Sequence, residues 1–280
     1  RDRLRSRGLG DVYKRQARER GGADFCQDDY YVTIFYRLNT GRGPLKDVRV
    51  RKALSMAVDR EALVRDVVCG GGQPCFGFTP DGAGYRTPHG VEFNPEKARA
   101  LLAEAGFPGG EGFPRLELMT TSREVQKTMA EAIQGMWKKH LGIHVEIRSC
   151  EWTAYKFAQN SMQYDLSSSS WSGDYLDPSS FLDLWSAASG NNNTGWFHPE
   201  YERLLAESRA TGDQEKRMAL LARAEALMLS ESPVIPLYWA RRSYLKRPEV
   251  RGWHPLLLDN HLFEDISLCA PRARGKGGRQ

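Results

Sequence analysis

Runs typical of β-strands alternate with segments of helical spacing between about residues 30 and 239, and this alternation strongly constrains the fold. The strand-type runs are rich in aromatic and β-branched residues or alternate polar with apolar side chains, at 30–38, 115–120, 143–149, 164–171 and 233–239. The intervening segments predict helices at 48–68, 94–106, 122–140, 152–160, 199–210 and 214–229. Such alternation predicts an α/β fold with a largely parallel or mixed sheet flanked by helices.

Local signals set several of these boundaries. Asp47 can cap the first helix, and Asn94 followed by Pro95 opens the second with a cap residue and a proline at the first helical position. Residues 69–92 are rich in Gly and Pro and predict a long loop, of a length that is usually functional or flexible. The 280 residues suffice for one large domain or two small ones.

The net charge of +5 belongs to the two ends of the chain. Residues 1–20 hold eight Lys/Arg against three acidic residues, and 272–280 add four basic residues and no acid, which leaves 28 basic and 32 acidic residues between them. The chain between these two ends therefore lacks the excess of basic residues that is typical of a nucleic-acid-binding protein. We also find neither a run of about 18 apolar residues that would cross a bilayer nor the apolar core of a secretory signal.

The first sixteen residues, RDRLRSRGLGDVYKRQ, lack the helix- or strand-type periodicity found in the body of the chain. DVYKRQ resembles the translation of a sequencing-adapter end, so we interpret residues 1–16 as an assembly artefact, with a disordered basic arm as the alternative. Five cysteines are too few for a disulfide scaffold. Cys69 and Cys75 flank a flexible loop and are interpreted as free thiols, as a disulfide or, least favoured, as metal ligands; the scattered histidines predict no metal site.

Signatures of catalysis are missing: the chain has no G-x-S-x-G elbow, P-loop, H-E-x-x-H or G-x-G-x-x-G after a strand. Asp174 and Asp177 are a possible carboxylate pair for hydrolysis. Asp177 precedes Pro178, however, and the D-P-S-S order favours a helix start over a catalytic role. We therefore predict that the protein is not an enzyme and needs no cofactor.

The remaining features favour ligand binding. Asp174 lies close in sequence to Trp171 and Tyr175 with no basic residue nearby, so it either caps a wet turn or meets a cationic ligand group. Trp152 and Trp171 each lie where a strand gives way to a loop or helix, and they are candidates for a cavity wall or for core packing. If this strand is an edge, the backbone around Trp171 is free to accept an extended peptide as an added strand.

Five segments occur in an order that identifies a family resemblance: DVRVRKALSMAVDREALV, EKARALLAEAGF, WKKHLGIHVEI with EW soon after, DYLDPSSF and PVIPLYW. Over about residues 30–268 the chain resembles the oligopeptide- and dipeptide-binding proteins of ABC importers, solute-binding protein family 5. The resemblance implies a periplasmic-binding-protein-like (type II) lobe. In that family two lobes close over a peptide, and this chain resembles the C-terminal one, with the first lobe missing.

The resemblance also implies roles for individual residues. Asp174 matches the aspartate that pairs with the peptide's α-amino group, Trp152 and Trp171 match tryptophans that line side-chain pockets, and Ser170 and Ser172 bound the edge that binds the peptide main chain. The best-known member of the family has basic residues that reach the peptide carboxylate. At the two matching positions this chain has Gln159 and Ser168, which are not basic. Preference for peptide length therefore stays open.

The implied organisation is a ligand-binding lobe at 17–240, a return segment toward the first lobe at 241–268 and a basic tail at 269–280. The implied partners are a peptide and the permease subunits of an ABC importer, for a monomer in the periplasm or otherwise outside the cytoplasm, with membrane anchoring through a preceding segment left open. A nickel chelate, haem or an oligosaccharide is an alternative ligand for the same fold, and a hydrolase using Asp174 and Asp177 is the alternative from another class.

Overall fold

The computed structural model describes residues 22–69 and 71–269, so the predictions for residues 1–16 and for nearly all of the basic tail fall outside the described residues. Eight strands lie within these ranges: β1 (Phe25–Leu38), β2 (Gly72–Pro74), β3 (Leu116–Thr121), β4 (Val145–Cys150), β5 (Leu166–Ser172), β6 (Val234–Leu245), β7 (Val250–Arg251) and β8 (Ser267–Leu268). Six of them form one sheet in the order β2-β6-β1-β5-β3-β4.

The sheet is mixed. The pairs β3–β4 and β3–β5 are parallel, whereas β1 pairs antiparallel with both β5 and β6, and β2 pairs antiparallel with β6. The parallel part is thus confined to the half of the sheet in which each strand is followed by a helix, as crossover connections require.

Helices cover the sheet on both faces. They are α1 (Val48–Met56), α2 (Arg60–Ala62, continued as a π-helical turn over Leu63–Val68), α3 (Pro95–Glu104), α4 (Glu124–Leu141), α5 (Trp152–Asn160), α6 (Ser179–Leu182), α7 (Pro199–Ala210) and α8 (Gln214–Glu231). Asn94 caps α3 through a bond from the Lys97 amide to its side chain, 2.9 Å long, and Gly142 ends α4 in the left-handed region. Both boundaries agree with the signals in the sequence.

Each face of the sheet has its own apolar core, because neighbouring residues of β1 point to opposite faces. Tyr36 belongs to a cluster with α1, α3 and α4, and the adjacent Phe35 belongs to a cluster with α6, α7 and α8. Fully buried members of the first cluster include Leu38, Leu54, Leu118, Ile133, Trp137 and Leu166. Those of the second include Tyr31, Phe78, Phe181, Trp185, Tyr201 and Leu221.

The single helix predicted over 48–68 is wrong, since it is interrupted between α1 and α2. Apolar spacing continues across the break, but Asp59 adopts an extended conformation and accepts a hydrogen bond of 2.9 Å from the Ala62 amide, which starts a new helix. Asp47 caps α1 as predicted, through a bond from the Arg49 amide.

The predicted loop at 69–92 contains the short strand β2 and is fastened to α8 by a buried carboxylate. Glu225 accepts hydrogen bonds from the backbone of Phe78 (2.7 Å) and Thr79 (3.0 Å), and from the Tyr85 hydroxyl (2.7 Å). Burial raises the pKa of Glu225, and these hydrogen bonds oppose that effect. Much of this loop is therefore held in place rather than left flexible.

The cysteines are all free thiols, so the structure does not contain the disulfide that the spacing of Cys69 and Cys75 left open. Cys75 is buried, while Cys69 is partly exposed at the end of the π-helical turn. Within residues 22–69 and 71–269, no helix has both the length and the apolar character needed to cross a membrane.

The outer parts of β1 and β6 form a two-stranded ribbon. Phe25–Asp29 pair with Arg241–Leu245, and the register then shifts between Asp29 and Thr33 before pairing resumes in the main sheet. β6 therefore runs across the lobe boundary predicted at 240. The residues after β6 pair locally as β7 and β8, and the division into a lobe and a return segment stays a prediction.

Candidate functional site

β5 is paired along one side and largely open along the other. β1 pairs with it over its whole length, Leu166–Ser172. On the opposite side β3 pairs with it no further than Ser167, and no other described strand continues that pairing. The end of β5 beyond Ser167 is therefore an edge within the described part of the chain, as the sequence interpretation required.

The register shows which backbone groups face this edge. Asp165 and Gly173, which flank β5, both bond through their backbone to the strand on the β1 side. In an antiparallel ladder alternate residues face opposite sides, so even-numbered residues of β5 face away from β1. The N–H and C=O groups of Ser170 and Ser172 consequently point to the open edge.

A cavity of about 270 Å³ lies beside this edge. Its wall is built by β5, by one face of α5, by the start of α4, by the loop around residue 191 and by the end of β1. Four predicted site residues line it together: Trp152, Gln159, Ser170 and Trp171. The structure thus brings two helical and two strand residues to one concavity.

Gln159 is the centre of a polar network on the cavity wall. It is only 3% exposed, and its side-chain amide donates to the hydroxyls of Tyr155 (3.1 Å), Ser167 (3.1 Å) and Ser169 (2.9 Å). The Tyr155 hydroxyl also donates to the carbonyl of Ser168. These bonds fasten α5 to β5 and fix the shape of the wall, so Gln159 has a structural role at the site.

The two tryptophans differ in freedom. Trp171 is partly buried, and its indole N–H donates to the carbonyl of Ser180 at 2.7 Å, which fixes the ring. Trp152 is 59% exposed and stacks on Tyr155 with ring centroids 5.9 Å apart. Neither ring is ordinary core filler: Trp171 packs at the border of the core, and Trp152 presents an aromatic face beside the cavity.

Ser172 and Asp174 do not line this cavity. Both are exposed, and they follow Trp171 where the chain leaves β5. The Asp174 amide donates to the Ser180 hydroxyl at 2.7 Å, which anchors the turn. Its carboxylate has no hydrogen-bond or ion-pair partner among the residues that the structure describes, so it is available to a cationic group.

Asp177 has a structural environment, as the D-P-S-S order predicted. Its carboxylate accepts two bonds of 2.7 Å from Arg217 and bonds from the amide and hydroxyl of Ser179 at the start of α6. Partial burial alone would raise the pKa of Asp177, but the hydrogen bonds from Arg217 and Ser179 lower it. Because this carboxylate is engaged, it does not form a free pair with Asp174.

The sequence interpretation missed several residues of the cavity, among them Arg37, Tyr155 and Lys156. The helical pair was detectable, since Trp152, Tyr155, Lys156 and Gln159 follow the spacing of one helix face. Arg37 was not, because it lies within a strand-type run and reaches the cavity through contacts with Ser169 and the loop around residue 191. Within the described ranges, no group of three or more His, Cys, Asp or Glu side chains is placed to hold a metal ion.

Comparison with known proteins gives one consistent result. The family model for bacterial extracellular solute-binding proteins, family 5 Middle, matches residues 8–193. The oligopeptide-binding protein OppA of Bacillus subtilis is 33% identical over 227 residues, which are 78% of this chain and 42% of OppA.

Solved structures agree with this match. A periplasmic oligopeptide-binding protein from Borrelia burgdorferi has a TM-score of 0.81 at 34% identity, over 91% of this chain and 51% of that one. The murein tripeptide-binding protein MppA of Escherichia coli has a TM-score of 0.82 at 30% identity, over 92% and 52%. The chain thus spans about half the length of the proteins it matches.

Proposed function

Because this chain belongs to the bacterial extracellular solute-binding proteins of family 5, we propose that it binds an extended peptide and delivers it to an ABC importer. The resemblance inferred from the sequence is confirmed, and so is the α/β, periplasmic-binding-protein-like fold with a mixed sheet. The names of OppA and MppA state that those proteins bind peptides. The peptide ligand, the permease partner, the monomeric state and a location outside the cytoplasm are proposed for this chain.

The observation that carries the proposal is the open edge of β5 beside a cavity with tryptophan in its wall. Ser170 and Ser172 direct backbone donors and acceptors to this edge, where an extended peptide can pair as an added strand. Main-chain pairing does not depend on the sequence of the peptide. Any preference among peptides must therefore come from side-chain contacts rather than from the added strand.

Side-chain contacts complete the proposed site. Trp152 and Trp171 offer aromatic surface to whatever side chain enters the cavity. Asp174, exposed and without a partner among the described residues, receives the ammonium group at the amino end of the peptide. A hydrogen bond to a charged group of this kind is worth roughly 1.5–3 kcal/mol. The ligand therefore has a fixed end and a defined register along β5.

This function requires no chemistry of the protein itself. Asp177, the second carboxylate of the hydrolase alternative, is engaged by Arg217 and Ser179. In the proposed mechanism the ligand stabilises a closed state because it binds that state more tightly than the open one.

Calorimetric titration of the protein as its gene encodes it tests the proposal. Alanine-rich tetrapeptides with free amino ends are expected to bind. The same peptides are expected to bind more weakly when the amino end is acetylated, and also when backbone nitrogens along the edge are methylated. Equal affinity for all three sets would contradict strand addition and the role of Asp174. A nickel chelate, haem or oligosaccharide identified by mass spectrometry as the co-purified ligand would replace peptide as the substrate.

A further inference from the structure

Arg37 is a buried cation at the cavity, with no carboxylate partner. Its side chain is 4% exposed, and no acidic group lies within ion-pair distance of it among the described residues. The guanidinium lies 5.3 Å from the ring centroid of Phe35 and 5.0 Å from that of Trp185. Burying a charge without a counter-charge is costly, so the position of Arg37 requires an explanation.

Its hydrogen bonds do not account for the guanidinium. An arginine has five N–H donors. The described partners of Arg37 are the Ser169 hydroxyl, 3.1 Å from Nε, and the Asn191 carbonyl, 2.9 Å from Nη1. These bonds use two donors, and no described residue accepts from the others.

Arg60, another buried arginine, shows what a purely structural role looks like in this chain. Arg60 also lacks a carboxylate partner, but its guanidinium makes four hydrogen bonds, to the carbonyls of Pro236, Ser55 and Val58 and to the Ser55 hydroxyl. It does not line the cavity. Arg37 has half as many bonds and does line the cavity, which leaves donors directed toward a ligand.

The rest of the cavity is also positive. Lys156 and Arg123 line it, and none of the described lining residues is acidic. Burial, followed by the charge of Arg37, lowers the pKa of Lys156, whose ammonium group donates to the side-chain oxygen of Gln159 at 3.1 Å.

We propose that Arg37 and Lys156 make this cavity a specificity subsite for an acidic side chain, so that the preferred peptides carry glutamate or aspartate at one position. The inference rests on the proposed peptide-binding function and names a ligand class for it. The carboxylate supplies the acceptor for the free donors of Arg37 and the counter-charge that the cavity lacks, and guanidinium matches a carboxylate with two parallel bonds.

The geometry favours a side chain over the carboxyl end of the peptide. Arg37 pairs with Ser167 across the β1–β5 ladder and bonds to the Ser169 side chain, so its guanidinium lies on one face of the sheet. A peptide added to β5 keeps its main chain in the plane of the sheet and directs side chains to the two faces in turn. A side chain on this face points toward Arg37, whereas a terminal carboxylate continues in the plane.

The test compares matched peptides with the protein as its gene encodes it. Alanine pentapeptides with a free amino end carry one Glu, or one Gln, at each position in turn, and each is made with a free and with an amidated carboxyl end. Calorimetry is expected to show that, at one position, the Glu peptide binds at least about tenfold more tightly than the Gln peptide. The same preference is expected whether the carboxyl end of the peptide is free or amidated. Equal binding at every position would overturn the inference while leaving peptide binding intact. No binding of any peptide would overturn both.

Substitutions at Arg37 and Lys156 test whether these residues cause the preference for Glu. In Arg37→Gln and in Lys156→Met the ratio of Glu to Gln affinity is expected to fall toward one. Lys139→Met is the matched control: it removes one exposed charge at the far end of α4, about 20 Å along the helix from the cavity, and is expected to keep the ratio. If Arg37→Gln does not fold, Lys156→Met decides, and an unchanged ratio there contradicts the proposal. A preference that follows the free carboxyl end instead of the Glu side chain would overturn the assignment to a side chain.

Discussion

Asp174 and Asp177 are three residues apart, yet their surroundings give them different roles. Arg217 and Ser179 hold the carboxylate of Asp177, whereas that of Asp174 is exposed with no described partner. Proximity in sequence suggested a pair. The contacts instead separate a carboxylate that stabilises the fold from one that is available to a ligand.

Asp174→Asn is expected to reduce affinity for peptides with a free amino end by about tenfold or more, because a charged acceptor is replaced by a neutral one. Affinity for amino-acetylated peptides is expected to stay the same. Calorimetry with the two peptide sets measures this difference. Asp66→Asn, which alters an exposed carboxylate outside the cavity, serves as the control. If Asp174→Asn and parent bind the free-amine set equally, Asp174 does not hold the amino end.

Asp177→Asn is expected to lower the free energy of unfolding by about 1–2 kcal/mol at pH 7. The pKa of Asp177 is lowered in the folded state, below the unfolded value of about 3.9. Its contribution is therefore present above that value and lost as the pH falls through the folded-state pKa. Urea unfolding at pH 7 and pH 3 is expected to show the parent–variant difference shrinking at acid pH. An equal difference at both pH values would contradict the ion pair with Arg217.

For single residues, the sequence predicted the roles that depend on residues close by in the chain. The cap at Asp177 was predicted from the adjacent Pro178 and serines, but its partner Arg217 was not, since it lies 40 residues away. Arg37 was missed for the same reason. The residues that make it part of the cavity, Ser169 and Asn191, are 132 and 154 residues distant in sequence.

Among the elements, β5 allows a test that separates its two sides. The Ser170 amide faces the open edge, whereas the neighbouring Ser169 amide faces β1. Proline removes a backbone donor and is tolerated only where a ladder bond is not needed. Ser170→Pro is therefore expected to weaken peptide binding with little loss of stability. Ser169→Pro is expected to destabilise the fold by roughly 1–3 kcal/mol, since it leaves a ladder carbonyl of β1 without a donor. Titration and urea unfolding measure the two effects; a Ser170→Pro protein that binds peptide normally would argue against the added strand.

The contact between α8 and the loop at 76–87 gives a second prediction. Glu225→Ala leaves two backbone amides and the Tyr85 hydroxyl buried without an acceptor. At about 1–3 kcal/mol for each of these three groups, the free energy of unfolding is expected to fall by at least about 3 kcal/mol. Urea unfolding followed by tryptophan fluorescence measures it. Glu131→Ala, an exposed change on α4, is expected to stay within about 0.5 kcal/mol, and a similarly small effect at Glu225 would contradict the role of the carboxylate.

The elements themselves were mostly predictable, since caps and periodicity are local. Asn94 and Gly142 mark helix ends in the structure as in the sequence. The break between α1 and α2 was not predicted, because apolar residues keep helical spacing across it and the interruption depends on the extended backbone of Asp59. The contacts between the 69–92 loop and α8 were not predicted either, because no local pattern in the sequence indicates them.

At the scale of the whole molecule, ligand binding is expected to stabilise the fold by mass action. A peptide that binds the native state alone, present at 100 times its Kd, adds about 2.7 kcal/mol to the free energy of unfolding. The thermal midpoint is therefore expected to rise with peptides that have a free amino end, and to rise less with acetylated ones at equal concentration. Differential scanning fluorimetry measures the shift, and no shift at saturating peptide would contradict specific binding to the folded protein.

The ribbon formed by Phe25–Asp29 and Arg241–Leu245 has a mechanical consequence. Its two strands are hydrogen-bonded to each other, and the register shift between Asp29 and Thr33 separates them from the regular pairing of the main sheet. Two bonded strands bend and twist as one strip, whereas two independent linkers would each move in their own way. The sheet can therefore move relative to the outer end of this ribbon only in directions in which both strands bend or twist together.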